Sequence, residues 1–497
     1  MSTEDAEQLA LDGLAPRKRR KRAPAVKTPA AEHPIAQVVL DIQAIHLGQT
    51  FDYYVEEKYS EAAQPGVMVR VRFGGQRVNG IIWKRADTSE TPESSLRFIE
   101  RVVINRVLVS ESMRNDATLI ADAFGGTRAN ILRLAVPPRV ARVEQEQRIG
   151  NRTGIEKNGR IESLAKIERE SYEQLQRQYG NIDLLRTALE GQRFQAFVLD
   201  PLPGSHHWRQ CVAWMVAAAL LQGKPAVLVL PTMREIEDMA ETLQSIGLRC
   251  FAPTQSSNGA YGGDFAILNA QMAPAERYRA YLAISGGQVR CVIGTRAAMY
   301  APVDGNALFL ILDDVCYQDA DGMMPYANAR GVLRLRAKAH NGVFVAMANA
   351  RSVQSQWETD AAHVGATQVS GFSTPIHAFP AVTKEASPWI RWLNRDELAR
   401  LADSTIGARV PHTAVRVLSK ALESGPVLLS IPQDGIGEAL SCAKCHRQAR
   451  CSYCTGPLER LRDGSVRCRW CGVATVQWAC PCLLYTSPSP RDVEESR

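Results

Sequence analysis

A chain of 497 residues, 45% hydrophobic and 22% charged, has ordinary globular composition, which excludes wholesale disorder, collagen-like repeats and coiled coil. At roughly 100–200 residues per domain, it predicts about three or four domains. The net charge of +7 and the pI of about 8.8 lean mildly toward a polyanionic partner.

The chain opens on MSTEDAEQLALDGL, an acidic stretch without the apolar core of a signal peptide. The longest apolar run, Val212 to Leu221, is half of the ~20 residues that a membrane span needs. The expectation is a soluble cytoplasmic protein with no membrane partner. In a reducing compartment, paired thiols point to metal rather than to disulfides.

Residues 1–33 carry Arg17-Lys18-Arg19-Arg20-Lys21-Arg22 and then a Pro- and Ala-rich stretch, a composition that predicts a disordered basic arm. Such an arm is either a solubility tail or a non-specific phosphate clamp. From Ile35 the pattern changes to short alternating runs, Val38-Val39-Leu40, Tyr53-Tyr54-Val55, Val67 to Phe73 and Gly80 to Trp83, broken by Pro65-Gly66 and Gly74-Gly75. These predict a small β-domain over 35–108. Residues 109–190 read as helices ending at Pro137-Pro138, followed by a charged linker with some helix.

Between 195 and 375 apolar runs alternate with amphipathic ones. Candidate strands are Ala196–Leu199, Ala226–Leu230, Val289–Ile293, Leu308–Leu312 and Val343–Ala346. Continuous apolar strands separated by helices argue for a parallel α/β sheet covered on both faces. Leu308–Leu312 ends in Asp313-Asp314, the form of a strand whose first carboxylate holds Mg²⁺ and whose second polarises water. An acidic helix cap has the same form. Gly294-Thr295-Arg296-Ala297 is placed either to present backbone N–H groups to phosphates or simply to cap a helix. The partner such a site requires, G-x-x-x-x-G-K-[ST], is absent from the sequence. The Gly-Lys dipeptide in Gly223-Lys224-Pro225 fails at the hydroxyl position and leads into a strand.

Residues 376–440 read as a connector. Twelve cysteines follow an uneven distribution: Cys211, Cys250, Cys291 and Cys316 are isolated, and eight lie between Cys442 and Cys482. Cys442-x2-Cys445, Cys451-x2-Cys454, Cys468-x2-Cys471 and Cys480-x-Cys482 predict a metal module over 441–482. A C-x2-C turn points two thiolates at one tetrahedral zinc, and two turns complete a closed structural site. Eight thiols predict two zincs. Free buried cysteines would not produce four pairs.

Taken in order, these segments resemble the PriA family of bacterial primosomal replication-restart proteins, superfamily 2 DNA helicase relatives, and in particular the actinobacterial branch that lacks a P-loop. The match covers about residues 35 to 481. It rests on Phe51-Asp52-Tyr53, Pro65-Gly66-Val67-Met68-Val69-Arg70-Val71-Arg72-Phe73-Gly74, Gly80-Ile81-Ile82, Val229-Leu230-Pro231-Thr232, Val292 to Ala297, Ile311 to Asp314 and Tyr326 to Arg330. The resemblance implies a domain that binds the 3′ end of a nascent strand at a fork, with Phe51, Asp52, Tyr53, Gly74 and Arg97 at its pocket. An Asp can accept a hydrogen bond from a terminal 3′-OH, and a ring can stack on the end base. Plain β-core also accounts for Phe51 and Tyr53, since strand alternation buries both and turns Asp52 outward.

The resemblance also implies a winged-helix-like segment, a RecA-like lobe and, after the zinc module, a second motor lobe. The nucleotide site departs from the family pattern. Pro203-Gly204-Ser205-His206-His207-Trp208 stands at the P-loop, with His207 at the Lys position and Trp208 at the Ser/Thr position. A histidine, unlike a lysine, is no fixed cation, and Trp208 has no oxygen for Mg²⁺. Asp-Asp-Val-Cys replaces Asp-Glu-x-His, and Ala348-Asn349-Ala350-Arg351 replaces Ser-Ala-Thr. These departures imply a retained fold with lost ATP hydrolysis. In the family the outer cysteine pairs share one zinc and the inner pairs the other. That assigns Cys451, Cys454, Cys468 and Cys471 to a complete inner site, and Cys442, Cys445 and Cys480 to an outer site where Cys480-x-Cys482 is one residue short. Residues 483–497 resemble a translated adapter from assembled metagenomic reads, so the natural frame is expected to be lost near Cys480.

The fold class expected is therefore multidomain α/β, and the function expected is fork recognition and primosome assembly on branched and single-stranded DNA. Single-strand binding protein and helicase-loading proteins are the partners the resemblance implies. The competing readings are an ATP-driven 3′→5′ DNA helicase and a non-enzymatic zinc-ribbon protein. The latter leaves Phe51-Asp52-Tyr53 without a role.

Overall fold

A computed structural model describes residues 27–42, 44–147, 158–253, 260–269, 272–317, 326–360, 372–405 and 410–430. Within 440–480 it describes all but 443, 445–447, 454–455, 462, 470 and 475–477. Arg17–Arg22 of the basic arm, Cys445, Cys454, Cys482 and residues 483–497 lie outside the described residues. The chain divides into two compact units, residues 1–42 with 49–107 and residues 43–48 with 108–497.

In the first unit, β1 (Ile35–Leu40), β2 (Phe51–Tyr54), β3 (Met68–Phe73), β4 (Gln76–Ala86), β5 (Arg97–Phe98) and β6 (Arg101–Val102) form one sheet in the order β5-β2-β1-β4-β3-β6. The pairs are antiparallel except β2 with β5. Alternation buries Val38, Leu40, Tyr53, Val55, Val69, Val71 and Ile82 in one core. Gly74 and Gly75, at φ 55° and 82°, join β3 to β4 with Phe73 opposite Gln76. A two-residue type I′ hairpin demands positive φ at both central residues, which glycine adopts without strain.

The second unit begins with α1 (Glu111–Phe124) and α2 (Arg128–Ala135), capped by Ser110 and Thr127 side chains. After α3 (Ala141–Gln147) come α4 (Asn158–Gln178) and α5 (Ile182–Glu190). The charged linker expected after Pro137-Pro138 contains more packed structure than its charge suggests: α4 spans 21 residues and sends Leu164 and Leu175 into the main core. Its apolar stripe is so sparse that composition alone reads as solvated.

The sheet of this unit consists of β7 (Gln195–Asp200), β8 (Ala226–Val229), β11 (Phe265–Leu268), β12 (Cys291–Gly294), β13 (Leu308–Leu312), β14 (Val343–Met347) and β15 (Thr374–His377). A separate small pair is formed by β9 (Ala252–Pro253) and β10 (Tyr261–Gly262). The seven strands lie in the order β11-β12-β8-β13-β14-β7-β15, and every neighbouring pair is parallel. All five residues of β13 and of β14 are buried, as expected of strands covered on both faces. The intervening helices include α6 (Ser205–Leu221), α7 (Met233–Ser245), α8 (Pro274–Ser285), α9 (Ala329–Ala339) and α10 (Val353–Thr359). The apolar run Val212–Leu221 lies within α6, whose residues from Cys211 to Leu220 are buried. No helix among the described residues is long and apolar enough to cross a membrane. The cysteine segment carries a hairpin of β16 (Leu458–Arg460) and β17 (Val466–Cys468).

A candidate nucleic-acid cleft and a candidate metal centre

Phe51, Asp52, Tyr53, Gly74 and Arg97 line one cleft of about 840 Å³ in the first unit, together with Gln37, Arg72, Phe73, Ser89 and Thr91. Parallel pairing of β2 with β5 sets Arg97 directly beside Tyr53. Tyr53 is 4% exposed and its hydroxyl donates to the Arg72 carbonyl at 3.1 Å, and burial pushes the phenol up to about 12 despite the nearby Arg97. It is a core residue at the cleft floor. Phe51 is half-buried and meets Phe73 edge-on with centroids 4.8 Å apart. Asp52, on the other strand face, accepts a hydrogen bond from Ser89 Oγ through Oδ2, and Ser89 Oγ in turn accepts from the Thr91 amide at 3.0 Å. The sequence offered no signal for Ser89, which reaches Asp52 from a loop 37 residues along the chain. A Cβ on Gly74 or Gly75 would meet nothing within 4 Å, so the hairpin tip stands clear at the rim.

In the second unit, the positions of the expected nucleotide site follow the C-terminal ends of β7 and β13. Gly204, at φ 112°, precedes α6, and Ser205 is its first residue. His207 Nδ1 lies 2.7 Å from the Pro203 carbonyl, and its ring is 3.8 Å from that of His206. Trp208 is buried in the main core, so its indole packs rather than faces solvent. Asp200, at the end of β7, holds Arg351 by two contacts, Nε to Oδ1 at 2.9 Å and Nη2 to Oδ2 at 2.7 Å.

Asp313 has φ 51° and is half-buried. Burial, with Glu235 and Asp314 nearby, pushes its carboxyl up from the ordinary value. Asp314 is 2% exposed. Its Oδ2 accepts from Arg330 Nε at 2.8 Å, Ser352 Oγ at 2.6 Å and Ser355 Oγ at 2.7 Å. The same Arg330 grips Glu358 with Nη1 at 2.8 Å and Nη2 at 2.9 Å. Burial alone would raise Glu358, but Arg330 and then Arg334 hold it below the usual carboxylate range. The arrangement makes Asp314 the centre of a buried ion cluster.

The cysteine segment gathers Cys451, Cys468 and Cys471, all buried, with their sulfurs within 4.8 Å of one another. Cys451 Sγ and Cys471 Sγ are 3.7 Å apart. Tetrahedral thiolates at the ~2.3 Å length of a Zn–S bond lie about 3.8 Å apart, so the donor set and its spacing fit such an ion. Register places Cys468 opposite Leu458, and Gly472, at φ 69°, turns the chain directly after Cys471. The Tyr453 amide donates to Cys451 Sγ at 3.4 Å, a bond that favours thiolate. Cys442 and Cys480 are also buried.

Residues 37–137 match the family model described as 3′DNA-binding domain (3′BD). The chain is 31% identical over 441 residues to the probable replication restart protein PriA of Mycobacterium leprae, covering 88% of this chain and 62% of that protein. It is 31% identical over 437 residues to the Mycobacterium tuberculosis protein of the same name, covering 86% and 60%. With the replication restart protein PriA of Bacillus subtilis it shares 20% identity over 290 residues, 58% of this chain and 33% of that one. The chain thus spans about three fifths of the length of its mycobacterial relatives. With most of its β-sheet unit inside the match to the 3′DNA-binding domain, the chain is similar along 88% of its length to replication restart proteins named PriA.

Proposed function

We propose that the chain recognises the 3′ end of a DNA strand at stalled or abandoned forks and promotes reloading of the replicative helicase without unwinding DNA itself. The observation that carries this reading is the convergence of Phe51, Asp52, Tyr53, Gly74 and Arg97 on one cleft within the residues matching the 3′DNA-binding domain. Ser89 occupies Asp52 Oδ2, so Oδ1 is the atom left to accept a terminal 3′-OH. Phe51 is the ring for the end base, since Tyr53 is committed to the core. Base stacking on an aromatic contributes roughly 1–3 kcal/mol. Arg97 attracts the terminal phosphates.

In this reading the seven-stranded sheet is a RecA-like lobe and the helices after residue 109 a winged-helix-like region and linker. The segment 376–440 leads toward a second lobe, and 441–482 is a zinc module. Zinc supplies a closed structural cross-link, held by Cys451, Cys454, Cys468 and Cys471, with Cys442, Cys445, Cys480 and Cys482 around a second ion. Single-strand binding protein and helicase-loading proteins are the partners this role calls for.

Asp52→Ala is expected to weaken binding of forks with a free 3′-OH by about tenfold, a charged hydrogen bond contributing ~1.5–3 kcal/mol, and to leave 3′-blocked forks nearly untouched. Fluorescence anisotropy on the two forks measures this, and equal loss on both removes Asp52 from the site.

Loss of hydrolysis is supported by the buried Trp208 and by Asp314 tied to Arg330, Ser352 and Ser355. An ATPase assay on forked DNA is expected to show no DNA-stimulated turnover. Turnover that disappears on Asp313→Ala would establish the helicase reading instead.

A further inference from the structure

The first sheet carries a concentration of charge on the face turned away from its core. In β3, Val69 and Val71 are fully buried, so alternation places Arg70 and Arg72 on the opposite face. Pairing extends that face in two directions. Arg72 stands directly opposite Arg77 of β4, and Arg70 directly opposite Arg101 of β6. Directly opposed residues share a face, and like charges so placed destabilise a sheet. Four arginines in two adjoining pairs therefore cost stability, and packing gives no reason for them.

Glu100 is the acid set among them. Its carboxylate accepts from Arg72 Nε at 2.8 Å and lies 2.9 Å from Arg77 Nε, and those two arginines, Arg72 first, hold it below its ordinary range. Arg70 Nε donates to Asn79 Oδ1 at 3.0 Å. Each described hydrogen bond engages Nε, which fixes the plane of the guanidinium and leaves the terminal amino groups of Arg70, Arg72 and Arg77 for other acceptors. The side chains of Arg72 and Arg77 are 51% and 64% exposed. Four arginines against one glutamate give a pre-oriented, cationic, solvent-facing strip, and Arg72 joins it to the cleft that it also lines. Planar forks with free amino groups suit phosphate oxygens.

We infer that Arg70, Arg72, Arg77 and Arg101 form a second DNA contact, which binds backbone phosphates of the strand leading away from the cleft, independent of base sequence and of the 3′ end. The cleft reading supplies only the direction of that strand. The strip itself rests on register and charge.

The test uses the full chain and two residues outside the cleft, in the double variant Arg77→Gln/Arg101→Gln. Each phosphate contact contributes about 0.9 to the slope of log K against log salt. The double variant is expected to flatten that slope by about 2 and to weaken 3′-OH and 3′-blocked forks by the same factor, roughly tenfold or more at low salt. Glu100→Gln is expected to tighten binding of both forks, a gain that a damaged fold cannot produce. An unchanged slope in the double variant, a loss confined to one fork, or weaker binding by Glu100→Gln would overturn the inference. So would an equal flattening by Arg142→Gln, an exposed arginine on α3, or competition by polyglutamate as strong as by duplex DNA. Asp52→Ala reads the cleft separately, through fork preference at unchanged slope, so either site can fail while the other stands.

Discussion

Cys468→Ser is expected to strip the inner metal from the cysteine module and melt the module, while both large sheets stay folded. The core of the segment consists of Ala449, Cys451, Leu458, Cys468 and Cys471. Three of those five side chains are the gathered thiols themselves, and the further apolar neighbours Leu440, Val466, Val473 and Trp478 are only partly buried, so apolar burial offers little without the ion. In isolated zinc-binding peptides the metal contributes about 10–16 kcal/mol of apparent folding free energy, more than is supplied by one fully buried leucine at ~1.5–3 kcal/mol, a buried alanine and four partly buried neighbours. Metal content by mass spectrometry and limited proteolysis between Leu440 and Cys480 measure the effect. The unsubstituted protein is expected to hold one zinc against a chelator and to release any second readily, because Cys480-x-Cys482 is a residue short of the spacing that the other pairs share. Two equally inert zincs would contradict that assignment, and a Cys468→Ser protein with full metal and full protection would remove Cys468 from the metal site.

Arg330→Met is expected to lower the stability of the parallel-sheet unit by about 3–5 kcal/mol, the range for removing one partner of a buried ion cluster. Arg330 is 4% exposed and is the cation shared by Asp314 and Glu358, each 2% exposed. Methionine fills much of the volume, so the loss is electrostatic rather than a cavity. The pH dependence separates the two. Glu358 sits below its ordinary range in the folded protein, so its contribution is complete above the unfolded value of about 4.3 and is lost as pH falls through the lower folded value. The stability gap between the two proteins is therefore expected to narrow below about pH 4, where protonation relieves the Glu358 carboxylate, which keeps only the Arg334 cation in the variant. Thermal unfolding at pH 7 and at pH 3.5 checks this, and a gap that does not change with pH would point to packing.

The features legible in the sequence are those encoded by local pattern. Unbroken apolar runs such as Leu308–Leu312 announced strands buried on both faces, and that strand is buried throughout. The turn signals Gly74-Gly75 fell at a hairpin tip. Paired cysteines announced a metal site, and three of the four assigned to the inner one lie together. Alternation in Phe51-Asp52-Tyr53 correctly set Asp52 apart from the two rings, with Tyr53 fully in the core and Phe51 against it.

Pattern fails where the partner is distant in sequence. Asp313-Asp314, after a clear strand, has the form of a metal-holding pair and equally of a helix cap. The sequence leaves the pair open between these forms and sets it in a degenerate site, and the partners that hold Asp314, Arg330, Ser352 and Ser355, lie 16, 38 and 41 residues away. Ser89 escaped for the same reason. The helix expected in the charged linker is α4, but its packing escaped for another reason: Leu164 and Leu175 are too few among charged neighbours to outweigh composition, although the tertiary core gathers them.

The strand order of the parallel sheet also bears on how the chain is made. β7, the first of the seven strands in sequence, lies between β14 and β15, the last two. Neither neighbour exists until residues 343–377 have left the ribosome. At 5–20 residues per second, the roughly 150 residues between β7 and β14 take about 7–30 s, during which Phe197 and Leu199, both fully buried at the end, have no sheet to join. That interval is an exposure to aggregation or to a chaperone. Its length is set by topology, and no substitution inside the finished core shortens it.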